Sequence, residues 1–414
     1  MAKVLPFKAI RPGEGMGDKI PALPYDVYNE KEARAAVQGK PDSFLNIDRP
    51  ETFFEEGHDM YAPEVYAKAN EVFRSMIADG RFITEAKKCY YVYELTMDGR
   101  VQTGIVAASS IDDYANGVIK KHENTREEKE QDRIRHVDAL SAQTGPIFLA
   151  YRSDKTIDSV VEKSKAKDAL YDITTEDNIR HRAFIIDDDD DIATLEDAFA
   201  KINQIYIADG HHRAASAVKV GFKRREAHPD FDGTEEFNYF LSVLFPHDQL
   251  MIMDYNRVVK DLNGLTADEL TYKLKDICNL VMASDKEIKP SKKGEFSMYL
   301  DGKWYLYAIP EEKIPANDPV KALDVSMLQD YVLNPLLGIL DPRTDDRIDF
   351  VGGIRGLKEL VKRCNEDCKV AFAMYPTQIT ELFDVADAGL LMPPKSTWFE
   401  PKLRSGFFIH EIER

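Results

Sequence analysis

No run of apolar residues in this chain of 414 approaches the roughly 20 needed to cross a bilayer as a helix, so a helical membrane span is not expected. Residues 1–7 lack the charged and then apolar pattern of a signal peptide. Cysteine is scarce, with four in the chain, too few for a disulfide framework. Cys364 and Cys368 have the spacing of one helical face, which allows a pair, but buried or idle thiols are the expectation. These absences point to a cytoplasmic protein. Basic charge is also short. The chain carries 55 Lys and Arg against 73 Asp and Glu, a formal net charge of −18. Nonspecific nucleic-acid binding depends on neutralising phosphates, and no long basic stripe offsets the deficit, so a nucleic-acid partner is disfavoured. Internal repeats and low-complexity linkers are missing too. What remains, 43% hydrophobic and 31% charged, is ordinary globular composition, long enough for two or three domains.

The chain is organised around one stretch, Asn-Gln-Ile-Tyr-Ile-Ala-Asp-Gly-His-His-Arg-Ala-Ala at 203–215. Ile205, Tyr206, Ile207 and Ala208 form a short apolar run with the signature of a buried strand. Asp209-Gly210 interrupts it. From Ala214 strong helix formers follow, with Ala214, Ala217 and Val218 at helical spacing. A helix start offers unpaired N–H groups and a positive dipole end, and so attracts anions. Gly210 allows close backbone approach, His211 and His212 add donors, and Arg213 brings a fork suited to phosphate. Asp209 could hold a divalent ion or take a proton.

This Asp-Gly-His-His-Arg turn resembles the phosphate-binding turn of the ParB/sulfiredoxin-like superfamily. The chain also resembles, over nearly its whole length, an uncharacterised bacterial and archaeal family, domain of unknown function ten-fifteen. The matching blocks are Pro24-Tyr25-Asp26-Val27, His122-Glu123-Asn124-Thr125, the turn itself, and Met392-Pro-Pro-Lys-Ser-Thr-Trp-Phe-Glu-Pro-Lys402. The superfamily includes nucleotide-dependent partition proteins, sulfiredoxins and free-serine kinases. The resemblance therefore implies a phosphate or nucleotide site, and a ParB/sulfiredoxin-like core.

Along the chain, strands are expected at 4–10, 43–49, 147–151, 235–245 and 370–375, with 24–27 extended. Hairpins are expected at 89–108, turned at Asp98-Gly99, and at 294–309, turned at Asp301-Gly302. Helices are expected at 30–38, capped by Asn29, and at 66–79. Thr125 caps a further helix, on which Arg126, Lys129 and Arg133 share one side with Asp132 close by; the residues 126–133 read as a solvated, salt-bridged surface. His136, Asp138 and Gln143 continue that helix. The acidic run 187–191 reads as a solvated loop, because consecutive aspartates cannot converge on one ion. The pattern changes near residue 260. The expectation is an α/β (mixed α+β) protein: residues 1–260 form the ParB-like core with an α+β insertion, and 261–414 a C-terminal α/β region.

Three further groups join the candidate site. Tyr25 and Asp26 are candidates to line a cleft. His122 and Glu123, on a loop beside a capped helix, are placed for substrate contact and general-base work. Lys395, Ser396 and Thr397, with Lys402 and Ser405, could cradle an anion in an otherwise acidic chain. Metal-dependent phosphoryl transfer to a small hydroxylated metabolite uses all of them. Gly210, His212 and Arg213 would bind phosphate, Asp209 would hold Mg²⁺ or Mn²⁺, His211 would donate to phosphate, and Glu123 would be the base. By resemblance the substrate is serine or phosphoserine, with a nucleotide or pyrophosphate as donor or acceptor. Two alternatives stay open: a ParB-like nucleotide switch associated with DNA, and a metal-dependent hydrolase using His122, His211, His212 and Asp209. The oligomeric state is not legible.

Overall fold

The computed structural model describes every residue except Arg126 and Arg414. The fold is mixed α/β, and the chain forms two compact units. Unit 1 comprises Met1–Leu250 and Pro401–Arg414; unit 2 comprises Met251–Glu400. The division falls at 250/251 rather than near 260, and the last residues return to unit 1 instead of completing a C-terminal region.

A nine-stranded mixed sheet is the frame of unit 1. From one edge its order is Ile119–Lys120, Ile205–Asp209, Ile147–Tyr151, Tyr239–Pro246, Arg100–Ser110, Tyr90–Met97, Arg180–Ile186 and Tyr171–Thr174, with Val4–Leu5 paired to Arg100–Ser110. Ile205, Ile207, Leu149, Leu244 and Ala214 lie in its main core cluster. The burial is continuous along Tyr239–Pro246, as expected for a strand covered on both faces. The expected hairpin closes through Asp98 and Gly99, both at positive φ (51° and 77°), the backbone of a two-residue primed turn. Helix Glu30–Val37 starts at Asn29 in a full capping box with Glu32.

Unit 2 carries a six-stranded sheet, ordered Asn279–Ser284, Lys303–Ala308, Glu295–Leu300, Val370–Met374, Tyr255–Val259 and Ile348–Gly352, and a small pair formed by Ile252–Met253 and Trp398–Phe399. Its second expected hairpin turns at Asp301-Gly302, again with positive φ at both residues.

Four expectations are corrected. Residues 24–27 are not extended: Tyr25–Val27 is a 3₁₀ helix, tied down by Arg49, whose Nη1 donates to the carbonyls of Tyr25 (3.1 Å) and Tyr28 (2.5 Å). The strand at 43–49 is instead helix Leu45–Asp48, because Asp48 and Arg49 donate back to the Phe44 and Leu45 carbonyls. Gln143 lies on strand Ala142–Gln143, past the end of helix Glu127–Leu140. The acidic run is no loop: Asp188 caps helix Asp189–Phe199, with three aspartates in its first turn, where negative charge is favoured by the positive end of the helix dipole.

Helix His211–Ala227, which carries the turn, is seated by Gly221. A Cβ there would lie 2.5 Å from the Phe237 carbonyl oxygen and 2.8 Å from Ile111 Cδ1. In an open helix Gly→Ala gains about 1 kcal/mol. Here Gly221→Ala is expected to lose about 1–3 kcal/mol by overpacking, read as a lower urea midpoint. An unchanged or higher midpoint would mean the helix is not held at that contact.

Candidate active site

Strand polarity gathers the site in unit 1. Ile205–Asp209 pairs in parallel with Ile119–Lys120, Ile205 opposite Ile119 and Tyr206 opposite Lys120. The carboxyl ends of both strands therefore open on one side, where His122-Glu123 follows one and Gly210–Arg213 the other. Ile147–Tyr151 runs antiparallel to the same strand, with Phe148 opposite Asp209, so Thr144, Gly145 and Pro146 lead in at that end too. Ligands of α/β sheets bind outside the carboxyl ends of strands.

Gly210 has φ 95° and ψ 33°, a left-handed conformation costly for any residue with a side chain. A Cβ on it would also crowd the Arg213 guanidinium at 3.1 Å, and one on Gly145 would meet Arg213 Cδ at 3.3 Å. Two glycines thus make the slot that holds Arg213. Its Nη1 donates to the Pro146 carbonyl at 2.5 Å and its Nη2 lies 3.7 Å from Asp209 Oδ2. The buried Nε has no hydrogen-bond partner among the described residues. Asp209 Oδ1 accepts from the Gly210 N–H (2.9 Å), and Oδ2 lies 3.2 Å from Lys402 Nζ. Burial alone would raise the Asp209 carboxyl, but Lys402 and Arg213 outweigh it and hold the group well below the usual carboxylate range. It is an anion at every physiological pH, and a poor proton acceptor. The first bond of helix His211–Ala227 runs from Ala214 N–H to the Gly210 carbonyl, which leaves the N–H groups of His211, His212 and Arg213 outside the helix ladder.

His122 and His211 back the turn. Their rings meet edge to face with centroids 4.4 Å apart. His211 Nε2 accepts from the His122 backbone N–H at 3.4 Å, and its Nδ1 lies 3.9 Å from Glu123 Oε2. The proton of neutral His211 therefore belongs on Nδ1, facing Glu123. Burial, then the neighbouring His122, keep His211 uncharged. Burial lowers His122 to about 4. His122 was expected to touch substrate; at 1% exposure it instead reaches the site through His211. Glu123, one-third exposed, is brought beside the turn.

The structure also adds residues that sequence reasoning passed over. A cavity of about 160 Å³ is lined by Tyr25, Asp26, Asp48, Glu51, Asp132 and Arg133 among others. A smaller one of about 30 Å³ shares Tyr25, Asp48, Arg133 and His136 with it and adds Thr144 and Arg213. Arg133 stacks over the Tyr25 ring at 4.0 Å and pairs with Asp132 at 2.8 Å. Burial pushes the Tyr25 phenol up to about 12, partly offset by Arg133. Thr144 Oγ1 donates to Asp48 Oδ1 (3.0 Å), and buried Glu51 pairs with Arg49 (2.5 Å). The reading of 126–133 as a solvated surface is corrected: Glu130, Asp132 and Arg133 are buried, while Arg126 lies outside the described residues. Arg133, His136, Val137 and Leu140 recur at i, i+3, i+4 and i+7, the one-face spacing that betrays this burial.

The two parts of the C-terminal motif fall in different units. Lys402, in unit 1, reaches Asp209. Lys395, Ser396 and Thr397 belong to unit 2. There Lys395 has φ 59° and its ammonium sits 5.6 Å above the Tyr255 ring. Ser396 is buried, and its hydroxyl donates to the Pro393 carbonyl at 2.6 Å while its carbonyl accepts from Thr377 Oγ1 at 2.9 Å. An anion taken by the Ser396 hydroxyl would have to break that bond.

Among the described residues no three His, Cys, Asp or Glu side chains are gathered as a metal site. A hydrolase centre built from His122, His211, His212 and Asp209 does not fit, since His211 Nε2 already accepts a backbone N–H. Asp209 fits a divalent ion only as a single carboxylate ligand, the usual share of protein in sites where Mg²⁺ arrives with phosphates.

Comparison with known proteins places this site in context. A family model described as "Protein of unknown function (DUF1015)" matches residues 4–326, which include the turn and His122-Glu123 but not Lys395–Lys402. No curated protein matches the sequence. Solved structures with similarity include a free serine kinase in complex with AMP (14% identity, TM-score 0.33, covering 72% of this chain and 86% of that one). Another is SbnI with a C-terminal truncation from Staphylococcus aureus (10% identity, TM-score 0.37, 72% and 85%). A third is a conserved hypothetical protein from Pyrococcus furiosus (16% identity, TM-score 0.31, 72% and 91%). At these scores the likenesses carry no argument about chemistry. No helix among the described residues is long and apolar enough to cross a membrane.

The buried imidazoles give stability a pH signature. The folded His122 value, about 4, lies below the unfolded value of about 6.5, so the unfolded chain binds the extra proton. Its contribution is fully present above pH 6.5 and is lost as the pH falls toward 4. Between pH 7 and 5 wild type is expected to lose about 2 kcal/mol through this group, a loss that His122→Asn removes. Urea titrations of both proteins at the two pH values check it. Equal losses would show that His122 is protonated in the folded state.

Proposed function

The chain belongs to the DUF1015 family of proteins of unknown function, and we propose that it transfers a phosphoryl group to or from a small hydroxylated metabolite. The observation that carries this reading is the buried Arg213, slotted between Gly145 and Gly210 with an unsatisfied Nε, beside Lys402 and a helix start. Two cations and three N–H groups outside the helix ladder make a receptor for a polyanion, pre-organised in a water-poor setting where such donors act strongly. Phosphoryl transfer asks the protein for little more than positioning and charge.

In this reading the phosphates of a nucleotide or pyrophosphate lie across the His211–Arg213 N–H groups, clamped by Arg213 and Lys402. Asp209, held ionised, is the ligand for Mg²⁺ or Mn²⁺, which when bound neutralises charge on the transferring group. The substrate occupies the neighbouring cavity over Tyr25, with Arg133 as counter-charge for an acidic group. Its hydroxyl oxygen attacks phosphorus as the bond to the donor's bridging oxygen breaks, and Glu123 takes the hydroxyl proton. Neutral His211, with Nδ1–H toward Glu123, positions that carboxylate. The resemblance of the turn to that of the ParB/sulfiredoxin-like superfamily, which includes free-serine kinases, makes serine or phosphoserine the first substrates to offer.

Phosphorus NMR with Mg²⁺ and serine plus ATP, ADP or pyrophosphate, then phosphoserine plus the same acceptors, tests this. Wild type is expected to turn over one pairing. Asp209→Asn and Arg213→Lys should each lower the rate about 10²–10³-fold with the fold intact by circular dichroism. Turnover unaffected by both variants, or absent for every pairing, contradicts the assignment.

A further inference from the structure

Strand Tyr255–Val259 lies inside the six-stranded sheet of unit 2, between Ile348–Gly352 and Val370–Met374. At its centre stands Arg257, 3% exposed, opposite Phe350 on one neighbour and Phe372 on the other. A charge so placed calls for an anion. Among the described residues Arg257 forms no ion pair with a carboxylate. Its partners are neutral instead. Nη1 donates to the Tyr255 carbonyl, Nη2 donates to the Lys395 carbonyl at 3.1 Å, and the guanidinium lies 5.3 Å from the centre of the Phe350 ring. Burial pushes the group down to about 10, with Tyr255 opposing, so it is still a cation at neutral pH.

A second cation comes from the loop that Arg257 holds. Lys395 follows Pro393 and Pro394 at φ 59°, in the left-handed region where glycine is the usual residue. Its ammonium is exposed, 5.6 Å from the centre of the Tyr255 ring, and forms no ion pair among the described residues. The Ser396 hydroxyl on the Pro393 carbonyl and the Thr377 hydroxyl on the Ser396 carbonyl pin this turn. The backbone N–H groups of Lys395 and Thr397 donate to no described residue. Loop N–H groups beside a left-handed residue make a concavity suited to anions. In a chain of net charge −18, two cations without counter-charges on one loop and the strand that binds it reverse the local sign.

We propose that Arg257 and the Lys395–Thr397 loop form an oxyanion site within unit 2 that takes a phosphate group. Arg257 gives the buried charge and a planar fork, Lys395 the exposed charge, and the loop N–H groups the remaining donors. Phosphate suits the site better than a carboxylate, because its second negative charge answers the second cation. The Ser396 hydroxyl keeps its bond to Pro393 and takes no part. This inference is independent of the reaction proposed for unit 1.

Tryptophan fluorescence of the full-length protein tests it. Both tryptophans, Trp304 and Trp398, belong to unit 2, and Trp398 meets Tyr255 edge to face with centroids 5.0 Å apart. Inorganic phosphate and AMP are titrated against chloride at matched ionic strength. Wild type is expected to give a saturable change with at least one of them, and the tighter ligand names free or organic phosphate as the source. Lys395→Met and Arg257→Met should each weaken the affinity about tenfold or more. Circular dichroism checks both folds, and the exposed Lys395 carries the test if Arg257→Met does not fold. Arg213→Lys, a change in unit 1, should leave the affinity unaltered. No saturable change beyond that of chloride, or an affinity indifferent to Lys395→Met, overturns the proposal. A change lost in Arg213→Lys overturns the assignment to unit 2.

Discussion

A guanidinium out of water must be paired or hydrogen-bonded, because an uncompensated buried charge costs several kcal/mol. In unit 1 this requirement falls on Arg213, and the surrounding structure answers it. Gly145 and Gly210 leave room for the side chain, the Pro146 carbonyl takes one N–H, and Asp209 supplies the opposite charge. The answer is incomplete, since Nε is left without a partner. Asp209 meanwhile shares its charge with Lys402. Asp209 is therefore shared by two cations, while Asp26 and Asp48 add to the field that holds Arg213 charged.

The same economy explains the histidines. Two imidazoles packed edge to face in the interior would repel each other if charged, and burial keeps both neutral. A neutral His211 can accept at one nitrogen and donate at the other, which ties the loop after Ile119–Lys120 to the turn after Ile205–Asp209. A charged one could not accept the His122 N–H. The parallel pairing of two short strands thus becomes a fixed distance between Glu123 and the turn Gly210–Arg213.

Legibility in the sequence followed contact range. The strand, Gly210 and the helix are local features, and their order over 203–220 is legible because each is set by neighbours in sequence, although the helix starts at His211 rather than Ala214. Asn29, Asp98-Gly99 and Asp301-Gly302 were readable for the same reason. The second wall of the site was not. Arg133 and Asp132 are charged residues on a helix, ordinarily solvated, and only packing against Tyr25 and Tyr66 buries them. Lys402 meets Asp209 across 193 residues of sequence, and no local pattern encodes that return. Residues 43–49 misled because Phe44, Leu45 and Ile47 are apolar enough for a strand, whereas backbone bonds to Phe44 and Leu45 close a helical turn. Composition did carry one durable point: a strongly acidic chain with a few buried cations spends them at specific places.

The central claim is that the turn binds a polyphosphate, with Lys402 as part of the clamp. Calorimetric titration of pyrophosphate and of ADP into wild type and Lys402→Met tests it most directly, because Lys402 meets the turn through Asp209, 193 residues away in sequence. The account predicts saturable binding to wild type and an affinity about tenfold or more lower in Lys402→Met, the loss of one charge-assisted contact. No binding of either ligand to wild type, or equal affinity in the variant, would contradict it.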